Sequence, residues 1–211
     1  MSQPIVHGPA ISTYVRSVRL ALHEKGVAHE LQEVDIVAGA HKQPPHTSRH
    51  PFGKVPAFEH DGSTFYETSA ILRYIDEVFP GPALLPSTPK GRVLANQVMS
   101  IVDSYGYTPA VANIFIPRVL VPMLGGQTDM EKVEGAKAPA ALFVKELERL
   151  LGSNQFYGGS NVSLADLHVF PVLTYLAATP EGKAILESAP NLRGWMGRIA
   201  KRPSVQAIMP S

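Results

Sequence analysis

His50-Pro51-Phe52-Gly53-Lys54-Val55-Pro56-Ala57-Phe58 carries a polar loop into an apolar strand, and Glu67-Thr68-Ser69-Ala70-Ile71-Leu72-Arg73-Tyr74-Ile75 then opens a helix. A proline that closes a loop and opens a strand is a candidate for a cis peptide bond. It has no N–H to donate, and the bend leaves the N–H and C=O of Val55 free for an extended peptide added as one more strand. The start of a helix offers unpaired N–H groups and partial positive charge, so Glu67-Thr68-Ser69 can receive a carboxylate. Either segment alone reads as an ordinary strand, turn and cap. In this order they read as an apparatus that holds a small peptide by its backbone and its acidic end.

The surrounding residues supply a compact α/β unit. Ile5-Val6-His7 is a short strand. Ser12-Thr13 precede Val15, Val18, Ala21 and Leu22, which share one helical face, and Gly26 ends that helix. Partial alternation predicts a second strand over 28–36, and 38–51 reads as a long loop rich in His, Pro, Gly and Ser. A third strand is expected over 55–59. Asp61-Gly62 is a hairpin signal before a returning strand over 63–66. A helix over 67–79, with Ile71, Tyr74, Ile75 and Val78 inward, is stopped by Pro80. The order is β-α-β-loop-β-β-α, a mixed-sheet α/β unit over 1–80.

The proline-rich stretch 81–90 reads as a linker, and 91–211 reads as all-helical. A long helical region over 91–115 should be kinked or broken by Pro109 and Pro117. A second helix is expected over 128–151, with Val144, Leu147 and Leu151 on one stripe. Ser163-Leu164-Ala165-Asp166 has the form of a capping box. It opens a nearly uncharged, and so buried, helix over 167–178. Two shorter helices follow, over 181–187 and 192–201.

Bulk composition narrows the function. The 211 residues suit one large or two small domains. A hydrophobic content of 45% and a charged content of 18% support a real core. The net charge of +1 gives no case for nucleic acid. With no cysteine, any thiol chemistry must act on a thiol that arrives as a ligand. There is no G-x-G-x-x-G and no P-loop, so a nucleotide fold lacks support. His41, His46 and His50 share a loop without a nearby pair of carboxylates, so no metal is expected. Met1-Ser2-Gln3-Pro4-Ile5-Val6-His7-Gly8 has no basic region followed by an apolar run, and no apolar run reaches the roughly 20 residues that span a bilayer. A cytoplasmic protein without membrane association is the expectation.

These residues resemble the soluble glutathione S-transferases over nearly the whole chain. The match is densest from Ser12 to Tyr74 and at Ser163 to Asp166. Leu20-Ala21-Leu22-His23-Glu24-Lys25 and His50 to Phe58 are most similar to the phi class and its serine-type bacterial relatives. The resemblance implies a thioredoxin-like N-terminal domain and an all-α C-terminal domain, with glutathione as co-substrate and no tightly bound cofactor. It implies that a hydroxyl four residues before an Arg activates the thiol. Here Ser12 precedes Arg16; Tyr14 is the alternative, and Thr13 competes because one residue is inserted before Ser12 relative to the phi pattern. His41, Lys42 and Lys54 would face the glycyl carboxylate. Val55, preceding Pro56, would pair with the cysteinyl backbone, and Glu67 and Thr68 would hold the γ-glutamyl end. Phe52 would anchor a partner subunit in a homodimer. A small hydrophobic electrophile would sit against the helical domain, with Tyr105, Tyr107, Phe115 and Ile116 as lining residues. Other glutathione-dependent activities (isomerase, dehalogenase, peroxidase) and a non-catalytic binding role stay open, since one fold hosts several functions. The missing cysteine argues against relatives that use an active-site Cys.

Overall fold

A computed structural model describes residues 2–209. The described residues form two compact units, one running to Leu84 and resuming from Arg202, the other covering Leu85–Lys201.

In the first unit, four short strands form one mixed sheet: β1 (Ile5–His7), β2 (Glu30–Gln32), β3 (Ala57–His60) and β4 (Ser63–Phe65), in the order β2-β1-β3-β4. β1 runs parallel to β2 and antiparallel to β3, with Val6 opposite Leu31 and Phe58. β3 and β4 form the expected hairpin, where Asp61 (φ 46°) and Gly62 (φ 76°) both take the positive φ that a type I′ turn requires. α1 (Thr13–Glu24) and α3 (Thr68–Val78) pack together. Val15, Val18, Ala21 and Leu22 of α1 meet Ile71, Leu72 and Ile75 of α3 and Val6 and Phe58 of the sheet in the core. Each Leu, Ile, Val or Phe so buried contributes roughly 1.5–3 kcal/mol.

Several boundaries differ from those predicted. The second strand is Glu30–Gln32, far shorter than 28–36, because β1 offers only three residues to pair with. The loop over 38–51 is partly helical, with a 3₁₀ turn at Ala40–Lys42 and a short helix α2 (His46–Arg49). The inward stripe of α3 is displaced: Val78 is exposed, while Leu72 and Phe79 are buried in its stead.

The second unit is built of helices, with isolated β-bridges at Phe156–Gly159 and Gly158–Asn161. α4 (Pro89–Ile101) continues through π-helical stretches at Val102–Gly106 and Thr108–Leu120 into the short α5 (Val121–Met123). Of the expected kink or break at Pro109 and Pro117, the break does not occur. The wider π-type turns move the carbonyl that would clash with each proline ring, and the ring needs no N–H partner. α6 (Met130–Leu151), α7 (Leu164–Ala177), α8 (Pro180–Leu186) and α9 (Pro190–Ala200) complete it. α7 is buried continuously from Leu164 to Leu173, as its lack of charge predicts. Asp166 organises its start: one oxygen accepts the Ser163 N–H and hydroxyl, and the other accepts the Tyr157 N–H and the Trp195 indole. Burial pushes the Asp166 carboxyl up, against the opposing pull of these donors.

One helix was not anticipated. α10 (Pro203–Ile208) returns to the first unit and packs on α1, although the sequence assigns 91–211 as a whole to the helical region. Arg202 and Ser204 both bond Glu24 at the far end of α1.

Candidate active site

The hydroxyl positions at the start of α1 separate by exposure. Ser12 is the N-cap, half-buried, and its Oγ accepts the Val15 N–H at 3.5 Å. Its own N–H donates to Pro9 C=O, and its C=O accepts the Arg16 N–H, both at 2.9 Å. Ser17 is fully enclosed and donates to Thr13 C=O. Thr13 is buried too, and its hydroxyl has no partner among the described residues. Of these residues Ser12 and Tyr14 keep partial exposure, while Thr13 and Ser17 are buried.

The turn that presents Ser12 is clamped from both sides of one residue. Ala10 N–H donates to Glu33 at 3.1 Å, and Ala10 C=O accepts from Arg16 Nε at 3.2 Å. Gly8 (φ 148°) brings the chain close to Val15 and Val55; a Cβ there would stand 2.5 Å from a Val15 methyl and 3.0 Å from Val55 Cβ. Only glycine fits both the backbone and the space. No local pattern marks Glu33, because its contact with Ala10 bridges the whole of α1 and β2.

The loop segments also converge. The Val55–Pro56 peptide bond is cis, and Val55 enters none of the turn and loop backbone pairings among the described residues. Gly53 (φ 57°) sits 3.1 Å, at its would-be Cβ, from His41 C=O and 3.6 Å from Lys42, so the 41–42 turn lies against the Lys54 loop. Lys42 and Lys54 are exposed and His41 is half-buried. Burial pushes the His41 imidazole below its ordinary value, and the charges of Lys42 and Lys54 push the same way. Two lysine ammonium groups thus stand together at this loop.

Glu67 precedes α3 with φ 68° and ψ 110° and makes no side-chain cap bond. Such a conformation is rare outside glycine and costs on the order of 1–3 kcal/mol. Thr68 at the first helical position is buried. The buried ring of His50 lies 5.0 Å from Tyr66 and 6.3 Å from Phe52, beneath an outer aromatic pair in which Phe52 is 71% exposed. The His46 and His50 rings stack at 6.4 Å. Among the described residues, no group of three His, Cys, Asp or Glu side chains is arranged to hold a metal ion.

α2 is pinned to the sheet. Arg49 Nε contacts Glu59 at 2.6 Å, and Glu59 lies 3.4 Å from His7 Nε2. Burial pushes the His7 imidazole down against the pull of Glu59. Burial pushes the Glu59 carboxyl up, but the Arg49 hydrogen bond and the His7 charge outweigh it and hold it below its ordinary value.

In the second unit, Phe115 stacks flat on Tyr175, with centroids 4.0 Å apart and planes 8° from parallel. Tyr107 is half-buried, and burial, reinforced by Tyr175, pushes its phenol up. Ile116 is half-buried on the same helical stretch. Tyr105 is 69% exposed. Tyr175 of the buried helix α7 is the partner of Phe115 in that stack, and it lies near enough to Tyr107 to act on its phenol.

Comparison with known proteins gives consistent findings. Residues 6–83 match the model of the glutathione S-transferase N-terminal domain, and 132–198 match that of the C-terminal domain. The chain is 36% identical over 207 residues to glutathione S-transferase F6 of Arabidopsis thaliana, covering 97% of this chain and 98% of that one. It superimposes on glutathione transferase F7 from Populus trichocarpa with a TM-score of 0.86 and 31% identity, covering 97% of each chain. It is likewise similar to glutathione S-transferase I from Mais, solved in complex with an atrazine glutathione conjugate (TM-score 0.83, 28% identity, 98% of this chain and 96% of that one).

Proposed function

The chain belongs to the glutathione S-transferase family and is a transferase acting on glutathione, and we propose that Ser12 is the hydroxyl that activates the thiol. The supporting observation is its place: a half-buried N-cap whose hydroxyl stands at the positive end of the twelve-residue α1. A free thiol titrates near 8.5, so little of it is thiolate at neutral pH. Lowering that value by about two units takes roughly 2.7 kcal/mol. One charge-assisted hydrogen bond and the α1 dipole supply an amount of this order. The thiolate sulfur, its proton having passed to solvent, then forms its bond to an electrophilic carbon; in a substitution the bond from that carbon to its leaving group breaks and the group departs to solvent with the electron pair, and in an addition the π pair moves onto the acceptor and is protonated from solvent. Held in place, the two reactants react as one bound pair.

The rest of the assignment follows the same geometry. His41, Lys42 and Lys54 form the cationic rim for the glycyl carboxylate. Val55, with Pro56 fixing the bend, offers its unpaired backbone to the cysteinyl unit. Glu67 meets the glutamyl ammonium, and Thr68 with the α3 N–H groups meets the glutamyl carboxylate. Tyr107 and Phe115, with Tyr105 and Ile116 from the same stretch, form the apolar surface for the electrophile. The exposed Phe52 anchors a second copy in a two-fold homodimer. No resident cofactor enters this chemistry, and its setting is cytoplasmic detoxification of small hydrophobic electrophiles. No helix among the described residues is long and apolar enough to cross a membrane.

Thiolate absorbance of bound glutathione, followed against pH in wild type, Ser12→Ala and Tyr14→Phe, tests the assignment. The expected result is a bound thiol titrating well below free glutathione in wild type and Tyr14→Phe and near the free value in Ser12→Ala, with kcat/KM falling about 10- to 100-fold. A shift lost only in Tyr14→Phe transfers the role to Tyr14. Glutathione bound with no shift in wild type removes the activation mechanism and favours a binding protein.

A further inference from the structure

We propose that His46 is a positioning residue for glutathione binding, acting through the Lys54–Val55 peptide. The proposal rests on the reading that Val55 pairs with the glutathione backbone. His46 lies in α2, is buried, and places its Nε2 2.7 Å from Lys54 C=O. A carbonyl only accepts, so Nε2 carries the proton. Nδ1 is buried with no partner among the described residues, which suits the same tautomer.

The consequence comes from peptide planarity. Lys54 C=O and Val55 N–H belong to one rigid plane, and the cis bonds of the chain lie elsewhere, at Pro44–Pro45 and Val55–Pro56. In a trans peptide the C=O and N–H point in opposite directions. A hydrogen bond that draws Lys54 C=O in toward buried His46 therefore turns Val55 N–H away from the protein interior, toward an incoming strand. His46 can serve as a fixed point because its helix is itself held. Arg49 binds Glu59 of β3, His50 N–H donates to His46 C=O at 2.9 Å, and Gly53 N–H donates to His50 C=O at 2.9 Å. The loop is thus tied at its start by backbone bonds and just before its bend by the imidazole. Without the imidazole bond, the 54–55 plane is free to rotate and the Val55 donor loses its aim.

The test uses the full-length protein with glutathione and a chromogenic nitroaryl halide. His46→Phe keeps a ring and removes the donor; His46→Gln places an amide N–H near the Nε2 position. Expected in His46→Phe is a KM for glutathione raised about tenfold, the loss of one well-placed hydrogen bond, with kcat within about twofold. Expected in His46→Gln is recovery of most of that loss. An unchanged KM in His46→Phe, or a fall in kcat that His46→Gln does not restore, overturns the proposal and leaves the transferase reading intact. Nitrogen-15 NMR of the wild-type imidazole provides a readout that needs no variant to fold: a proton on Nε2 is expected, and a proton on Nδ1 overturns it. Wild type that fails to bind glutathione overturns the underlying reading, and this one with it.

Discussion

In the role we propose for it, Glu67 trades stability for function. Its φ of 68° and ψ of 110° place an ordinary side chain where glycine is favoured, at the mouth of α3 and without a cap bond to offset the cost. Strain of this kind is kept where a site needs it. Glu67→Gly should relieve on the order of 1–3 kcal/mol, of which glycine's greater freedom in the unfolded chain cancels about 1. We expect the ligand-free variant to be about 1 kcal/mol more stable in urea titration and about tenfold weaker in glutathione binding. A variant that is less stable would show that Glu67 is not strained. Sequence alone marks Glu67 as the start of a helix. Its backbone angle depends on how β4 hands the chain to α3, and no local pattern encodes that.

At the scale of elements, α1 is fixed at both ends by different chemistry. Its N-terminus is set by the Ala10 clamp of Glu33 and Arg16, its C-terminus by Arg202 and Ser204 acting on Glu24. The Glu24–Arg202 pair is bidentate, at 2.7 and 2.6 Å. Burial pushes the Glu24 carboxyl up, but the bonds from Arg202 and Ser204 outweigh it and leave it below its ordinary value of 4.5. A carboxyl depressed in the folded state contributes stability above its unfolded value and loses it as pH falls through the folded one. Glu24→Gln should therefore destabilise the protein by roughly 1–3 kcal/mol at neutral pH. In urea titrations that gap should persist down to about pH 4.5 and close below it. A gap that is the same at pH 3 as at pH 7 would exclude the ionised Glu24 as its source.

At the scale of the whole molecule, the chain leaves the first unit at Leu84, builds a helical unit, and comes back at Arg202. A chain ending at Lys201 loses α10, including buried Val205 and Ile208, and takes Arg202 and Ser204 away from the half-buried Glu24. The first unit should lose roughly 3–5 kcal/mol. Hydrogen exchange should show α1 deprotected while α6 and α7 keep their protection; equal loss in both units would refute a local role for α10. The sequence by itself determined the β-α-β-β-β-α order, the helical remainder, the candidate cis bend before Ala57, the Asp166 capping position and the family, because turn chemistry, periodicity and capping act over a few residues. Only the tertiary structure decided that Pro109 and Pro117 ride through wide helical turns, that Tyr175 stacks on Phe115, that α10 returns to α1, and that Glu33 and His46 hold the loops beside Ser12 and Val55. Each of these depends on a partner brought close by packing, and the spacing of residues along the chain carries no record of that approach.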